Sequence, residues 1–311
     1  MRLKVIWRLL KRTFAEWQKD KASRLAAALA YYTAFSLAPM LIIAIAVAGL
    51  VFGQEAAQGE IVAQLQDLVG REGAQVIETA IENARQPRSG IWATIISIAL
   101  LLFGATGLFT QLQDALNTIW DVKPKPDEGV KKLLKTRVLS FAMVVAIGFL
   151  LLASLVVSAA LAAIGKYFDN LVPELMFLWQ TLNFVISLGV ITLLFAMIYK
   201  VLPDVKIAWS DVWIGGAITS VLFALGKYLI GLYLGNSSVG STYGAAGSFV
   251  VLLLWINYSA QILFFGAEFT QVYANRYGSR IVPTSHAMFD EGARGDRVSE
   301  GVGSRGNGSD R

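Results

Sequence analysis

Five polar side chains fall inside stretches of this 311-residue chain that are otherwise apolar, and chemistry would start with them. Asn257, Gln261 and Glu268 stand at relative positions 0, +4 and +11. At 100° per residue a helix puts all three on one face. Two amides and a carboxyl group aligned in this way could line a path for a polar or charged group through an apolar medium. Equally, they could hydrogen-bond one helix to its neighbours, as polar residues do in membrane bundles. Of the three only Glu268 ionises, which makes it the candidate for coupling to a proton gradient. Lys227 and Asn183 are the other members of the set. Asn183 is expected to serve structure or to partner Asn257.

The elements that must position these residues are set by length and charge. No charged residue occurs in 25–54, 89–113, 138–165, 175–199 or 228–267. A helix that crosses a bilayer needs about 20 mostly apolar residues. The pattern predicts an all-α membrane protein with six transmembrane helices, at 30–52, 91–112, 138–164, 176–199, 212–234 and 247–273. Helix rise then puts Glu268 about 8 Å and Lys227 about 22 Å from the inner ends of their spans. A direct Lys227–Glu268 ion pair is therefore not expected, and Lys227 is expected to snorkel to the outer interface or line an outward cavity. Lys and Arg gather before span one, between spans two and three, at Lys200 and Lys206, and in the tail. The opposite side holds Arg71, Arg85, Arg88 and Lys166, with Lys227 at the outer end of its span. By the positive-inside rule both termini are cytoplasmic.

Composition agrees and excludes much. Hydrophobic residues make up 55% and charged residues 16%, against about 25% charged in soluble domains. There is no cysteine and a single histidine, His286 in the polar tail, so no thiolate or histidine metal site is expected and no cofactor is implied. The phosphate-binding pattern G-x-x-x-x-G-K-[ST] is missing. The net charge of +5 is a matter of loop placement and does not imply nucleic acid.

Outside the spans, residues 1–24 read as a basic amphipathic interfacial helix. Leu3, Ile6, Leu10, Phe14 and Trp17 share one face, and Arg8, Lys11, Arg12, Lys19, Lys21 and Arg24 are placed to contact anionic headgroups of the inner leaflet. Residues 54–88 read as an external helical cap with two apolar stripes, Ile61/Leu65/Leu68/Val69 and Val76/Ile77/Ala80/Ile81, either packed on the bundle or closing as a lid. The loop 121–137 carries Pro124 and Pro126, and residues 276–311 are expected to form a disordered cytoplasmic tail. Within the 25–275 transmembrane domain, Pro39 marks a kink or a break in span one, and Gly215, Gly216, Gly226, Gly231 and Gly235 mark close helix contact along span five.

Several separated segments resemble the YihY/BrkB family of bacterial inner-membrane proteins. They are residues 27–40 (AALAYYTAFSLAPM), 102–120 (LFGATGLFTQLQDALNTIW), 199–203 (YKVLP) with Trp209 and Gly215-Gly216, 241–247 (STYGAAG), and 255–268 (WINYSAQILFFGAE). The resemblance runs from about residue 5 to 275. It implies six spans in the inner membrane with both termini inside, and links to envelope integrity, serum resistance or export of lipid-like envelope molecules. A ribonuclease label once attached to that family is disfavoured here, because metal-dependent nucleases need clustered His and Asp ligands. Two readings remain open: movement of a lipid or envelope precursor across the membrane, and a non-transporting scaffold with an envelope protein or a second copy as partner. An intramembrane enzyme would need two catalytic groups at one depth, and the sequence offers no such pair.

Overall fold

The computed structural model describes residues 3–53, 107–126, 176–236, 245–279 and 281–291, together with 55, 58–59, 61–62, 77–79, 81–82, 138 and 142. The third predicted span apart from 138 and 142, most of the second, and loop residues 127–137 lie outside the described residues.

The chain is mostly helical. Helix α1 (Leu3–Lys19) and helix α2 (Ala22–Phe52) meet at a tight corner where Lys21 is left-handed, with φ 52. The corner closes through Asp20 N–H to the Glu16 carbonyl at 2.9 Å and Arg24 N–H to the Lys21 carbonyl at 2.8 Å. Helix α2 runs through Pro39 as one element, so span one is not discontinuous. An apolar medium offers the backbone no alternative partners, which favours continuing the helix past the one bond a proline removes. Residues 107–119 form α3 and lead through a left-handed Asp121, φ 52, into strand β1 (Val122–Pro124).

Helix α4 (Met176–Val201), strand β2 (Val205–Lys206), helix α5 (Trp209–Asn236) and helix α6 (Ala245–Tyr277) follow. Among the described residues, three segments are long and apolar enough to cross a membrane: Phe184–Val201, Trp209–Ile230 and Phe249–Tyr277. Helix α6 packs against α1, α2 and α5, and α4 packs against α5. The main core joins Ala22, Ala26 and Leu29 of α2, Leu112, Leu116 and Trp120 around α3, Tyr199 of α4, Val212 of α5 and Phe264 of α6.

The expectation of a disordered tail from residue 276 is corrected. Helix α6 extends to Tyr277, and residues 281–291 are ordered. Strand β3 (Val282–Pro283) pairs antiparallel with β2, and strand β4 (Ala287–Phe289) pairs antiparallel with β1, in the registers Val205↔Pro283 and Val122↔Phe289. The reason is local apolar mass and free backbone. Ile281 and Ala287 are buried, and the turns after α3 and α4 offer unpaired peptide groups that a passing strand satisfies. Residues 292–311 lie outside the described residues.

In the segment 54–88, Ile77 and Ile81 are buried in a cluster with Ile45 of α2 and Leu252 and Ile256 of α6, and Ile61 packs at its edge. These described residues pack on α2 and α6. Leu65, Leu68, Val69, Val76 and Ala80 lie outside the described residues.

Candidate functional site

The polar face of α6 forms as its spacing requires. Gln261 Nε2 donates to Asn257 Oδ1 at 2.7 Å, and both side chains are half-buried. Asn257 lies about 12 Å into the apolar segment that opens at Phe249, by helix rise. Glu268, about 16 Å beyond Asn257 along the same face by helix rise, is fully buried, in line with fully buried Phe264 and Gln271. Lys227 is not part of this face. It is exposed on α5 beside exposed Tyr228, Leu225 and Leu229. Asn183 sits on the α4 backbone, but its side chain lies outside the described residues, and so does the contact to Asn257 expected of it.

Around this face, α4, α5 and α6 are sealed by hydroxyls and glycines. Thr192 Oγ1 and Ser220 Oγ lie 2.7 Å apart across α4 and α5. The Tyr199 hydroxyl donates to the Leu263 carbonyl at 2.8 Å and lies 3.0 Å from Thr219 Oγ1. Gly215 faces the Thr270 side chain, Gly216 faces the α4 backbone at Thr192, Gly226 faces Tyr258, and Gly266 faces Thr219 and Tyr199. A methyl group at any of these positions would collide with its neighbour, so close helix contact is what Gly215, Gly216 and Gly226 provide. The Gly231 and Gly235 surroundings lie outside the described residues.

A second polar network, not singled out in the sequence, occupies the end of the bundle that carries the strands. Asn117 Nδ2 donates to Asp204 Oδ2 at 3.1 Å, and Asp204 N–H donates back to Asn117 Oδ1 at 2.8 Å. Gln113 Nε2 reaches the same carboxylate at 3.4 Å. Gln271 Nε2 donates to Asp121 Oδ2 at 3.2 Å, which ties α6 to the end of α3. Asp211 Oδ2 accepts from both Ser279 N–H and Ser279 Oγ at 2.9 Å. Asp121, Asp204 and Asp211 are all buried. The signal available in sequence was the i, i+4 pair Gln113/Asn117 next to a membrane helix end, facing an Asp after Leu202-Pro203.

The amphipathic α1 is docked by one side. Leu9 packs with Phe269 and Val272 of α6, while Leu10 and Trp17 also turn towards the protein. Ile6, Trp7 and Phe14 face outward, with Lys11 Nζ 5.3 Å from the Trp7 ring centroid. Arg8, Lys11, Arg12, Lys21 and Arg24 are exposed and Lys19 is half-buried. Arg12 also pairs with Glu16 at 3.7 Å. At the same end of the bundle, exposed Trp209 lies under Lys200 and exposed Tyr277 under Arg276, a combination that suits a membrane–water interface. His286 is exposed in the turn between β3 and β4. Among the described residues no group of three or more His, Asp or Glu is placed to hold a metal ion.

The family model described as virulence factor BrkB matches residues 13–291. The chain belongs to the BrkB family. Similar proteins include a UPF0761 membrane protein of Verminephrobacter eiseniae, 30% identical over 274 residues that cover 85% of this chain and 62% of the relative. Another is a UPF0761 membrane protein of Pseudomonas aeruginosa, 28% identical, covering 80% of this chain and 58% of its own length. A third, from Teredinibacter turnerae, is 26% identical and covers 89% and 63%. This BrkB-family chain thus spans about three fifths of the length of the curated relatives it matches. No solved structure matches it. The family match begins inside α1 and ends just after β4, so it includes α6 with its polar face and the strands at the end of the bundle.

Proposed function

We propose that this membrane protein of the BrkB family crosses the bacterial inner membrane six times, keeps both termini in the cytoplasm, and moves a lipid or envelope precursor across the bilayer. The observation that carries this reading is the Asn257–Gln261 pair, which is half-buried within a segment long and apolar enough to cross a membrane. Two amides on a helix sealed from water would be driven into a neighbour's surface, because partly uncovered polar groups are costly in hydrocarbon. A face left partly open suits the passage of a polar headgroup whose acyl chains stay in lipid. Glu268, nearer the cytoplasmic end of the same face, is the group to couple movement to a proton gradient. Without a nucleotide motif, movement is passive, ion-coupled or driven by a partner protein, and no enzymatic step is assigned. The test is whether water reaches Asn257 and Gln261, read by labelling single cysteines there with a membrane-impermeant thiol reagent.

The hydroxyl-and-glycine seam among α4, α5 and α6 favours a second reading, a non-transporting envelope scaffold that needs rigid packing and no water path.

In either case α1 would lie on the anionic inner leaflet with Trp7 and Phe14 at headgroup level. Each basic residue near such a surface contributes about 1 kcal/mol. A Trp7→Cys variant carrying an environment-sensitive dye should shift to the blue in nanodiscs of anionic lipid and not in zwitterionic ones. Replacing Lys4, Arg8 and Lys11 together by Gln removes roughly 3 kcal/mol of attraction and should abolish the shift. Equal emission in the two lipids would refute the contact.

A further inference from the structure

Residues 281–291 fasten to the bundle in an unusual way. Each clasp point is the backbone of a residue whose side chain enters the bundle. Asp290 N–H donates to the Asp121 carbonyl at 2.8 Å, while the Asp121 carboxylate accepts from Gln271 of α6. Thr284 N–H donates to the Asp204 carbonyl at 2.9 Å, while the Asp204 carboxylate accepts from Asn117 of α3. Between these points the segment pairs with β1 and β2. Lys125 N–H donates to the His286 carbonyl at 3.1 Å and Lys125 Nζ to the Ser285 carbonyl at 2.8 Å. Lys123 Nζ meets Asp290 Oδ1 at 3.2 Å. One eleven-residue stretch thereby ties the turn after α3 to the turn after α4, and through their side chains both turns hold α3 and α6.

The fastening is also weak enough to open. The strands are two or three residues long, with Pro124 and Pro283 each removing a ladder donor. The Lys123–Asp290 pair is nearly half exposed on both sides, and an exposed pair changes an equilibrium by at most about fivefold.

We propose that residues 281–291 act as a latch across the strand end of the bundle. Paired, the latch holds the turns after α3 and α4 in place over Asp121, Asp204 and Gln271. Unpaired, it lets the two turns separate and water reach that polar network. The latch does not depend on transport, because solvent access at this end of the bundle is its direct consequence.

The test uses the full-length chain in nanodiscs, where both faces meet the reagent. Native cysteine is absent, so Ala274→Cys is a sole thiol at a fully buried position of α6 near the latch. Its reaction with a membrane-impermeant maleimide reports opening. In this background Asp290→Lys, which places two cations together, should speed labelling about two- to fivefold. Thr284→Pro, which removes the donor to Asp204, should speed it at least as much. The swap Lys123→Asp with Asp290→Lys should return the rate to within about twofold of the starting protein. The same series on Ala115→Cys reads the α3 side and serves if the first reporter disturbs folding. Unchanged labelling in both Asp290→Lys and Thr284→Pro, or a swap as fast as Asp290→Lys alone, would overturn the latch.

Discussion

Replacing Asn117 by leucine is expected to lower the melting temperature of the purified protein by roughly 5–10 °C, a loss of about 2–4 kcal/mol. Leucine keeps the volume and takes away both halves of a reciprocal pair, the donor to Asp204 Oδ2 and the acceptor for Asp204 N–H. The buried carboxylate then keeps only the long 3.4 Å contact from Gln113 on this side. A buried polar group without a partner costs about 1–3 kcal/mol, and more when charged. The effect should spread to the tail, because the Asp204 carbonyl anchors Thr284. Asp204→Asn preserves an acceptor for Asn117 and should cost about half as much. The measurement is thermal unfolding in nanodiscs. A melting point for Asn117→Leu within 2 °C of the parent would show that this network does not hold α3 to the α4–α5 turn.

Gly216→Ala should be the most damaging single methyl group in the membrane-embedded part. Its Cβ would stand 2.8 Å from the Thr192 carbonyl oxygen and 3.0 Å from the Ala196 nitrogen. Both are backbone atoms of α4, so no side-chain rotation relieves the contact and the α4–α5 pair must move apart. Overpacking of this kind costs about 1–3 kcal/mol, and the shift would also stretch the Thr192–Ser220 bond. Gly189→Ala on α4 is the control. Nothing lies within 4 Å of its Cβ, and alanine is the better helix former by about 1 kcal/mol. The expected order of stability is therefore Gly189→Ala at or above the parent and Gly216→Ala well below it. Equal stability of the two variants would contradict the close packing of α4 on α5.

The long apolar elements were legible because hydrocarbon length is a one-dimensional property. Spans expected at 212–234 and 247–273 appear inside helices Trp209–Asn236 and Ala245–Tyr277. The Asn257–Gln261 contact was legible for the same reason, since i, i+4 spacing on a helix fixes who meets whom. What escaped the sequence was everything that depends on tertiary pairing. Strands of two or three residues are too short to show alternation, and β1 and β4 are joined across more than 150 residues of chain. Asp121, Asp204 and Asp211 sit at helix ends, where polar residues ordinarily meet water, and only the folded structure shows them buried. The orientation of α1 was half legible. The expected stripe of Leu3, Ile6, Leu10, Phe14 and Trp17 is split: Leu10 and Trp17 turn inward with Leu9, while Ile6 and Phe14 turn outward with Trp7, because the helix also packs on α6.

On the transport reading, the polar face of α6 meets water within the membrane. The most direct test is single-cysteine labelling at Asn257 and Gln261 in intact cells and in inside-out vesicles, with His286→Cys, exposed in the turn between β3 and β4 outside the spans, as the reference, using a membrane-impermeant thiol reagent. Labelling at position 257 or 261 from at least one side, in a protein that melts like its parent, is the predicted result. Prompt labelling at 286 with none at 257 or 261 from either side would contradict a water-reached path and leave the scaffold reading in its place.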